Sequence, residues 1–220
     1  MRTITINNFI SMDGVVQAPG GPDEDRSGGF EHGGWTVPYW DDVIGEHVGN
    51  ELSKGNDLLL GRATYEIFAA HWPHVTDDPG AELINQARKH VASTTLTELG
   101  WANSELLGDD VPAAVAALKA TDGPDLQVVG SSGLSQTLLA HDLVDALFLI
   151  VYPVVLGTGK RLFGDGARPA AFELVTSVAT PTGVIVNSYR RAGEVATGSF
   201  ALDEPTYEEA ARRARQSAAS

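Results

Sequence analysis

The chain has 220 residues, 43% of them apolar and 20% charged, with a net charge of −14 and no cysteine. That length is one large domain or two small ones, able to bury roughly 70% of its unfolded surface, and the lack of cysteine excludes disulfides, thiolate zinc sites and cysteine nucleophiles. The acidic balance argues against general binding to nucleic acid, whose phosphates need basic patches, and no stretch approaches about 18 consecutive apolar residues, so no membrane span is expected.

The first predicted element is a strand over residues 3–10, which alternate and then run apolar. No basic segment and long apolar run precede it, so no signal peptide is expected, and the lack of cysteine is compatible with the reducing cytoplasm, the expected location. Ser11-Met12-Asp13-Gly14 carries turn chemistry at Asp-Gly. From Gln17 to Gly34 the chain is rich in glycine, proline and acidic residues without periodicity. A loop longer than about 12–15 residues is usually functional or disordered, and the aromatics that close it, Trp35, Tyr39 and Trp40, suggest that it packs back as a lid.

Asp41 to Lys54 has near-helical spacing of Val43, Ile44, Val48 and Leu52, with acidic residues at its start and Gly55 as its stop. Asp57-Leu58-Leu59-Leu60-Gly61 is an apolar run ended by glycine, the pattern of a strand buried on both faces. A helix from Ala63 to Ala70 follows. His71-Trp72-Pro73-His74 breaks it, and the proline between the two histidines, with no carboxylate at ligand spacing, gives no metal site. Ala81 to Lys89 reads as a short helix, residues 90–93 as a short strand, and Trp101 to Leu107 as a loop leading into another. Asp110 to Ala120 is a helix with Pro112 in its first turn. Leu126 to Gly130 is a second buried strand ending in glycine, and Leu134 to Ala140 a helix. Leu143 to Val155 holds a buried strand, Leu156 to Lys160 a glycine-marked turn, and residues 172–178 and 183–190 an antiparallel pair of strands. Beyond Ala192 a linker leads to a helix opened by the capping box of Thr206 and Glu209.

Two strand-to-helix crossings look alike: Leu60-Gly61-Arg62-Ala63-Thr64 and Val129-Gly130-Ser131-Ser132-Gly133-Leu134. Ligands bind beyond the carboxyl ends of strands in open α/β sheets. The N–H groups and partial positive charge of a helix N-terminus suit phosphate there. Glycine lets the backbone come close, and Arg62 adds a planar guanidinium that matches phosphate oxygens. Ser93-Thr94-Thr95, just past a strand, offers hydroxyls to a ribose 2′-phosphate. The pattern predicts a dinucleotide phosphate site, against the plainer reading of tight turns with helix caps.

The order and spacing of these stretches resemble the dihydrofolate reductase-like superfamily. They most closely resemble the C-terminal reductase domain of the bifunctional riboflavin-biosynthesis deaminase-reductase. The stretches that carry the likeness are Ser11 to Gly14, Leu60 to Glu66, Ser93 to Leu96, Val128 to Gly130, Leu143 to Asp145 and, as the longest, Tyr152 to Phe163. The likeness covers about residues 2–191 as one reductase domain and leaves 192–220 as linker and helical tail. It implies a three-layer α/β/α fold with a mixed, mostly parallel central sheet and a C-terminal antiparallel strand pair. It also implies NADPH as cofactor, a small-molecule substrate, and a homodimer. By position, Gly61, Arg62 and Thr64 would hold the adenine-side phosphates, and Ser93, Thr94 and Thr95 would meet the 2′-phosphate. Residues Gly130, Ser131, Ser132, Gly133 and Leu134 would hold the diphosphate, and Asn8 would border the nicotinamide. Dihydrofolate reductases carry two glycines where this chain has Gly130-Ser131, and the serine predicts a less strained backbone there.

For chemistry, Asp13 is the candidate for catalysis or substrate binding, a carboxylate that positions a polar heterocycle or delivers a proton during hydride transfer, with an Asp-Gly turn as the alternative. Trp35 is the candidate to stack on a planar substrate, whereas Trp40 reads more as a packing anchor. Asp41 or Asp42 is the offset candidate for the acidic group that holds a pterin, with Asp41 assigned to the substrate, and Tyr152 is placed in the substrate pocket, with a core tyrosine as the alternative. Lys160 and Arg161 face either a substrate phosphate or solvent. The resemblance offers 5-amino-6-(5-phosphoribosylamino)uracil and dihydrofolate as substrates. A non-catalytic nucleotide-binding module on the same fold is the alternative function.

Overall fold

The structure, a computed structural model, describes residues 1–165 and 167–218. In chain order the elements are β1 (Ile4–Ser11), α1 (Asp42–Leu52), β2 (Asp57–Gly61), α2 (Arg62–His71), α3 (Pro79–Gln86), β3 (Lys89–Ala92), β4 (Ser104–Leu106), α4 (Val111–Lys119), β5 (Leu126–Val129), α5 (Ser132–Ala140), β6 (Ala146–Tyr152), β7 (Ala171–Ala179), β8 (Ile185–Gly193) and α6 (Tyr207–Ser217). The strands form one sheet in the order β4-β3-β2-β5-β1-β6-β8-β7. The first six in that order run parallel, and β8 and β7 are antiparallel to their neighbours. The expected mixed sheet with a C-terminal antiparallel pair is therefore the observed one.

Alternation along the strands sorts the core into two layers. Ile4, Ile6 and Ile10 of β1 and Leu59 of β2 pack with Val115 of α4 and with Leu134 and Leu138 of α5. Leu58 and Leu60 point the other way, toward Tyr65 of α2 and Ile84 of α3. Phe148, Ile150 and Tyr152 of β6 meet Ile44 of α1 on that same side. Helices on both faces explain why the central strands read as continuous apolar runs rather than alternating ones.

The expected helix to Lys89 ends earlier, at Gln86, and Lys89 opens β3 instead. Lys89 is fully buried. Its ammonium donates to the carbonyls of Asn85 (2.6 Å) and Ala102 (3.2 Å) and lies 4.0 Å over the Trp101 ring. Burial lowers its pKa to about 8. A polar residue in a fully buried strand position defeats any reading by periodicity. A second buried polar group sits at the amino ends of the strands, where Arg2 pairs with Asp57 and His90 stands 3.4 Å from the same carboxylate.

The segment from Gln17 to Gly34 is not a free flap over the molecule. Val15, Ala18, Phe30 and Trp35 are buried in one core with β6 and α1. The Gln17 side chain is buried and joins three strands of loop: its amide donates to the carbonyls of Asp25 (3.1 Å) and Ser27 (2.9 Å) and its oxygen accepts from the Lys160 N–H (2.9 Å). Gly159, with φ +117°, sits so close that a Cβ would lie 2.7 Å from Val15 and 3.0 Å from Phe30. Only glycine fits there.

Two features of the topology position the site. From β1 the chain crosses by way of α1 to β2 on one side, and from β5 by way of α5 to β6 on the other. Adjacent strands β1 and β5 thus send their connections in opposite directions, which opens a crevice at their carboxyl ends. The β5 ladder on β1 also stops at Asn7↔Val129, whereas the β6 ladder continues to Ser11↔Tyr152. Asn8, Phe9 and Ile10 therefore face a notch on the β5 side.

Candidate functional site

The two look-alike crossings end neighbouring strands, β2 and β5, so the fold brings them side by side. They are tied by two hydrogen bonds. The Gly61 N–H donates to Ser131 Oγ (2.9 Å), and the Ser131 N–H donates to Thr64 Oγ1 (3.0 Å). Both Gly130 (φ +59°) and Ser131 (φ 53°, ψ 55°) are left-handed. The expectation of a relaxed backbone at Gly130-Ser131 is thus overturned. The serine takes the strained conformation, at a cost on the order of 1 kcal/mol, and its two bonds to the facing crossing offset it. Gly130 approaches so near that a Cβ would stand 3.4 Å from the Thr64 side chain.

This lacing leaves the helices without caps of their own. α1, α3, α4 and α6 are each capped by a side chain, from Asp41, Asp78, Asp110 and Thr206. α2 and α5 have none, because Gly61 has no side chain and the Ser131 hydroxyl is turned to the neighbouring crossing. The leading N–H groups of Arg62, Ala63 and Thr64, and of Ser132, Gly133 and Leu134, have no acceptor within their helices. Two adjacent uncapped N-termini concentrate partial positive charge and donors. The β3 end adds a turn in which Ser93 Oγ accepts from the N–H groups of Thr95 (3.1 Å) and Leu96 (2.9 Å), with Thr94 and Thr95 exposed. Arg62 is half-exposed at the start of α2 and paired with Glu66 at 2.8 Å. The predicted anion-side residues therefore share the carboxyl edge of β3, β2 and β5. Asn8 lies across the crevice on β1, buried, with an amide nitrogen that no described group accepts from.

The predicted catalytic and substrate residues fare differently. Asp13 is a strut: its carboxylate accepts from the Ser11 hydroxyl (2.7 Å) and from the N–H groups of Leu156 (3.1 Å) and Gly157 (2.8 Å). Partial desolvation pushes its pKa up, but the Ser11, Leu156 and Gly157 donors outweigh it and hold the group at about 2. An acid ionised that firmly has no proton to deliver near neutral pH, and the three donors give its carboxylate a bracing role instead. Asp41 is likewise engaged. It caps α1 through the Ile44 N–H (2.9 Å) and accepts from the Thr182 hydroxyl (2.8 Å), and these donors bring its pKa below the ordinary value against partial desolvation. It ties α1 to the β7–β8 turn rather than holding a pterin.

Tyr152 is fully buried among Trp35 (5.3 Å), Phe9 (5.9 Å) and Tyr39 (6.2 Å), ring centre to ring centre. Burial raises its pKa, and it belongs to the core instead of a pocket. The roles of the two indoles are reversed from expectation. Trp35 is the anchor, buried with its N–H on the Gln17 carbonyl (2.8 Å), whereas Trp40 is 49% exposed. Trp40 stands edge-on to Phe9, 6.1 Å away, on the part of β1 that runs past β5. Its position beside the Asp41 cap, where the chain returns from the loop to the carboxyl edge, was the available signal. Lys160 and Arg161 are taken up internally, by Asp25 at 2.7 Å and by the Asp13 carbonyl at 3.0 Å. Among the described residues no three His, Cys, Asp or Glu side chains gather as a metal site requires. Two surface clefts lie away from the crevice, one beside Asn56 and Gln127 at the amino ends of the strands and one beside Tyr65 and Trp101.

Comparison with known proteins gives a consistent picture. A family model described as the RibD C-terminal domain matches residues 2–186. The uncharacterized protein YyaP of Bacillus subtilis (strain 168) is 29% identical over 197 residues, spanning 87% of this chain and 96% of that protein. Among solved structures, a putative riboflavin biosynthesis protein from Shewanella sp. PV-4 superimposes with a TM-score of 0.61 at 19% identity, covering 86% of this chain and 99% of the other. A pyrimidine reductase-like protein from Corynebacterium diphtheriae does so with a TM-score of 0.57 at 15% identity, covering 88% and 93%. At those identities the structures speak for the fold.

Two outcomes follow from the geometry. Both Ser131→Ala and Ser131→Gly lose the bond to the Gly61 N–H, but only alanine keeps the left-handed strain. Urea denaturation should therefore find Ser131→Ala less stable than Ser131→Gly by about 1 kcal/mol, and the reverse order would remove the argument for backbone strain. For Asp13, the folded-state pKa lies below the unfolded one. Its stabilisation is present above about pH 4 and is lost as pH falls through about 2. The stability gap between wild type and Asp13→Asn should shrink across that window in acid-titrated unfolding curves.

Proposed function

The chain belongs to the RibD C-terminal domain family, a family of reductase domains of the riboflavin-biosynthesis type, and on that premise we propose that it is an NADPH-dependent oxidoreductase acting on a small heterocyclic or carbonyl acceptor. The observation that carries the proposal is the pair of uncapped helix N-termini, α2 and α5, laced side by side beyond β2 and β5. Every other α-helix of the described residues has its own side-chain cap. A row of free N–H groups at this edge fits a diphosphate.

When bound, the dihydronicotinamide supplies the hydride. The chain's own residues bind and orient. Gly61, Thr64, Gly130 and Ser131 shape the close approach, and Ser132, Gly133 and Leu134 present backbone donors. Arg62, Thr94 and Thr95 fit the 2′-phosphate that marks NADPH. The Arg62–Glu66 pair is exposed and weak, on the order of 0–1 kcal/mol, so Arg62 can exchange its partner for a phosphate. Asn8 fits the nicotinamide end, because its buried amide nitrogen has no acceptor of its own. No helix among the described residues is long and apolar enough to cross a membrane. We also propose a homodimer, on the strength of the β7–β8 hairpin, where Leu174, Val175 and Ile185 stand 53%, 58% and 41% exposed.

Fluorescence titration should show NADPH binding by the wild type. Arg62→Ala should weaken it roughly tenfold, about 1.4 kcal/mol, and leave NADH binding nearly unchanged. No binding at millimolar NADPH would sink the reading, and equal losses for both cofactors would remove Arg62 from the 2′-phosphate. Light scattering should give twice the chain mass of 23.3 kDa, and that mass should fall to the single value in Leu174→Lys/Val175→Lys. A wild type of single mass would overturn the dimer.

A further inference from the structure

A cleft of about 440 Å³ lies at the end of the sheet opposite the crevice, where the amino ends of β2 and β5 meet the carboxyl ends of α1 and α3. That is the size of a small-molecule pocket, roughly 300–1,000 Å³. Its walls are apolar: Leu58 and Ile84 are buried, and Leu52 and Leu83 partly so. Gln127 of β5 stands beside Leu58 in register, so the two side chains share the face of the sheet that α3 covers. Gln127 is 1% exposed, and its amide nitrogen has no acceptor among the described residues. A buried donor left unpaired is rare in native interiors, and an apolar side chain of the same shape would avoid its cost. The other polar groups of the cleft are either spent or free. The carbonyls that end α3 are spent: those of Asn85 and Gln86 accept from the Asn103 amide (3.3 Å each), and that of Asn85 also from Lys89 (2.6 Å). The Asp57 carboxylate is paired with Arg2. Free among the described residues are the partly buried Asn56 amide and the exposed Arg88 guanidinium.

We propose that this cleft is a binding site separate from the cofactor crevice, and that it takes a flat lactam ring carrying a carboxylate. A carboxamide presents a donor and an acceptor side by side. A lactam presents the complementary pair, so it satisfies the buried Gln127 amide in both directions. The ring fills the space between the leucine and isoleucine walls and removes their apolar surface from water. The free Asn56 amide adds a hydrogen bond of the same kind. The charge stays outside, on Arg88, because a carboxylate costs far more to bury than a neutral amide. One guanidinium matches one carboxylate, whereas a phosphate dianion would call for further cations. β2 and β5 run from this cleft to the laced crossings at Gly61 and Ser131. The two sites thus stand at opposite ends of the same strands and can be filled together.

The probe is 2-quinolone-4-carboxylate, with quinoline-4-carboxylate (no lactam) and 2-quinolone (no charge) as matched controls. In calorimetric titrations the probe should bind at least tenfold more tightly than either control, and equally well with millimolar NADP⁺ present or absent. Gln127→Met should remove the preference for the lactam. Because it also removes the unpaired donor, it should raise the melting temperature of the ligand-free protein by about 2–4 °C. Arg88→Ala should remove the preference for the carboxylate and leave the melting temperature unchanged. No binding of the probe at millimolar concentration, controls that bind as well as the probe, or displacement of the probe by NADP⁺ overturns the proposal. A melting temperature that stays or falls in Gln127→Met also overturns it, since the amide would then be a settled part of the fold.

Discussion

The arrangement depends on a backbone strain held in place by two hydrogen bonds. Ser131 sits left-handed because its hydroxyl accepts from Gly61 and its N–H finds Thr64, both on the facing crossing. Without those partners a serine would relax out of that region, and its hydroxyl would be free to cap α5. Spending the hydroxyl across the sheet has two effects. It locks the ends of β2 and β5 together, and it leaves the N-termini of α2 and α5 as donors without acceptors. The same contact therefore stabilises the fold and creates the unsatisfied groups that suit an anion.

The opposite side of the crevice is built on the same logic with the sign reversed. Asp13 does not wait for a substrate, because three donors already occupy it and keep it ionised. Its task is to hold the turn from Leu156 to Arg161 against the end of β1, and that turn in turn fixes Gly159 under Val15 and Phe30. Gln17 completes the clamp by joining the turn to the acidic loop. The loop becomes part of the core.

How much of this was legible depends on the kind of signal. The buried strands β2 and β5, the crossings at Gly61 and Gly130 and the helix starts near Asp41 and Asp110 are local patterns, and each was readable within a few residues. That the residues around Gly61, Ser93 and Gly130 each end a strand was readable for the same reason, since strand-end glycines and helix starts announce themselves in order along the chain. Roles that depend on a distant partner were not. Asp13 reads as a catalytic acid until Leu156 and Gly157 are seen to donate to it from more than a hundred residues away. Trp35 and Trp40 lie five residues apart, and no periodicity says which indole turns inward. Lys89 and Gln17 carry no local sign of burial, because a polar side chain can be buried only where acceptors from other segments meet it.

The sequence by itself determined the buried strands, the helices between them, the antiparallel end pair and the two phosphate-like crossings, which follow from apolar runs, glycine positions and helix starts acting over one or two turns of chain; the mostly parallel α/β/α sheet was implied by the family resemblance. Tertiary structure decided that the crossings at Gly61 and Ser131 stand side by side and share their hydrogen bonds. It also decided that Asp13, Asp41 and Tyr152 are structural, and that Trp40 is the aromatic group left in the open. Those outcomes turn on which donors, acceptors and surfaces from remote segments come within about 3–4 Å of one another. No local pattern encodes that distance.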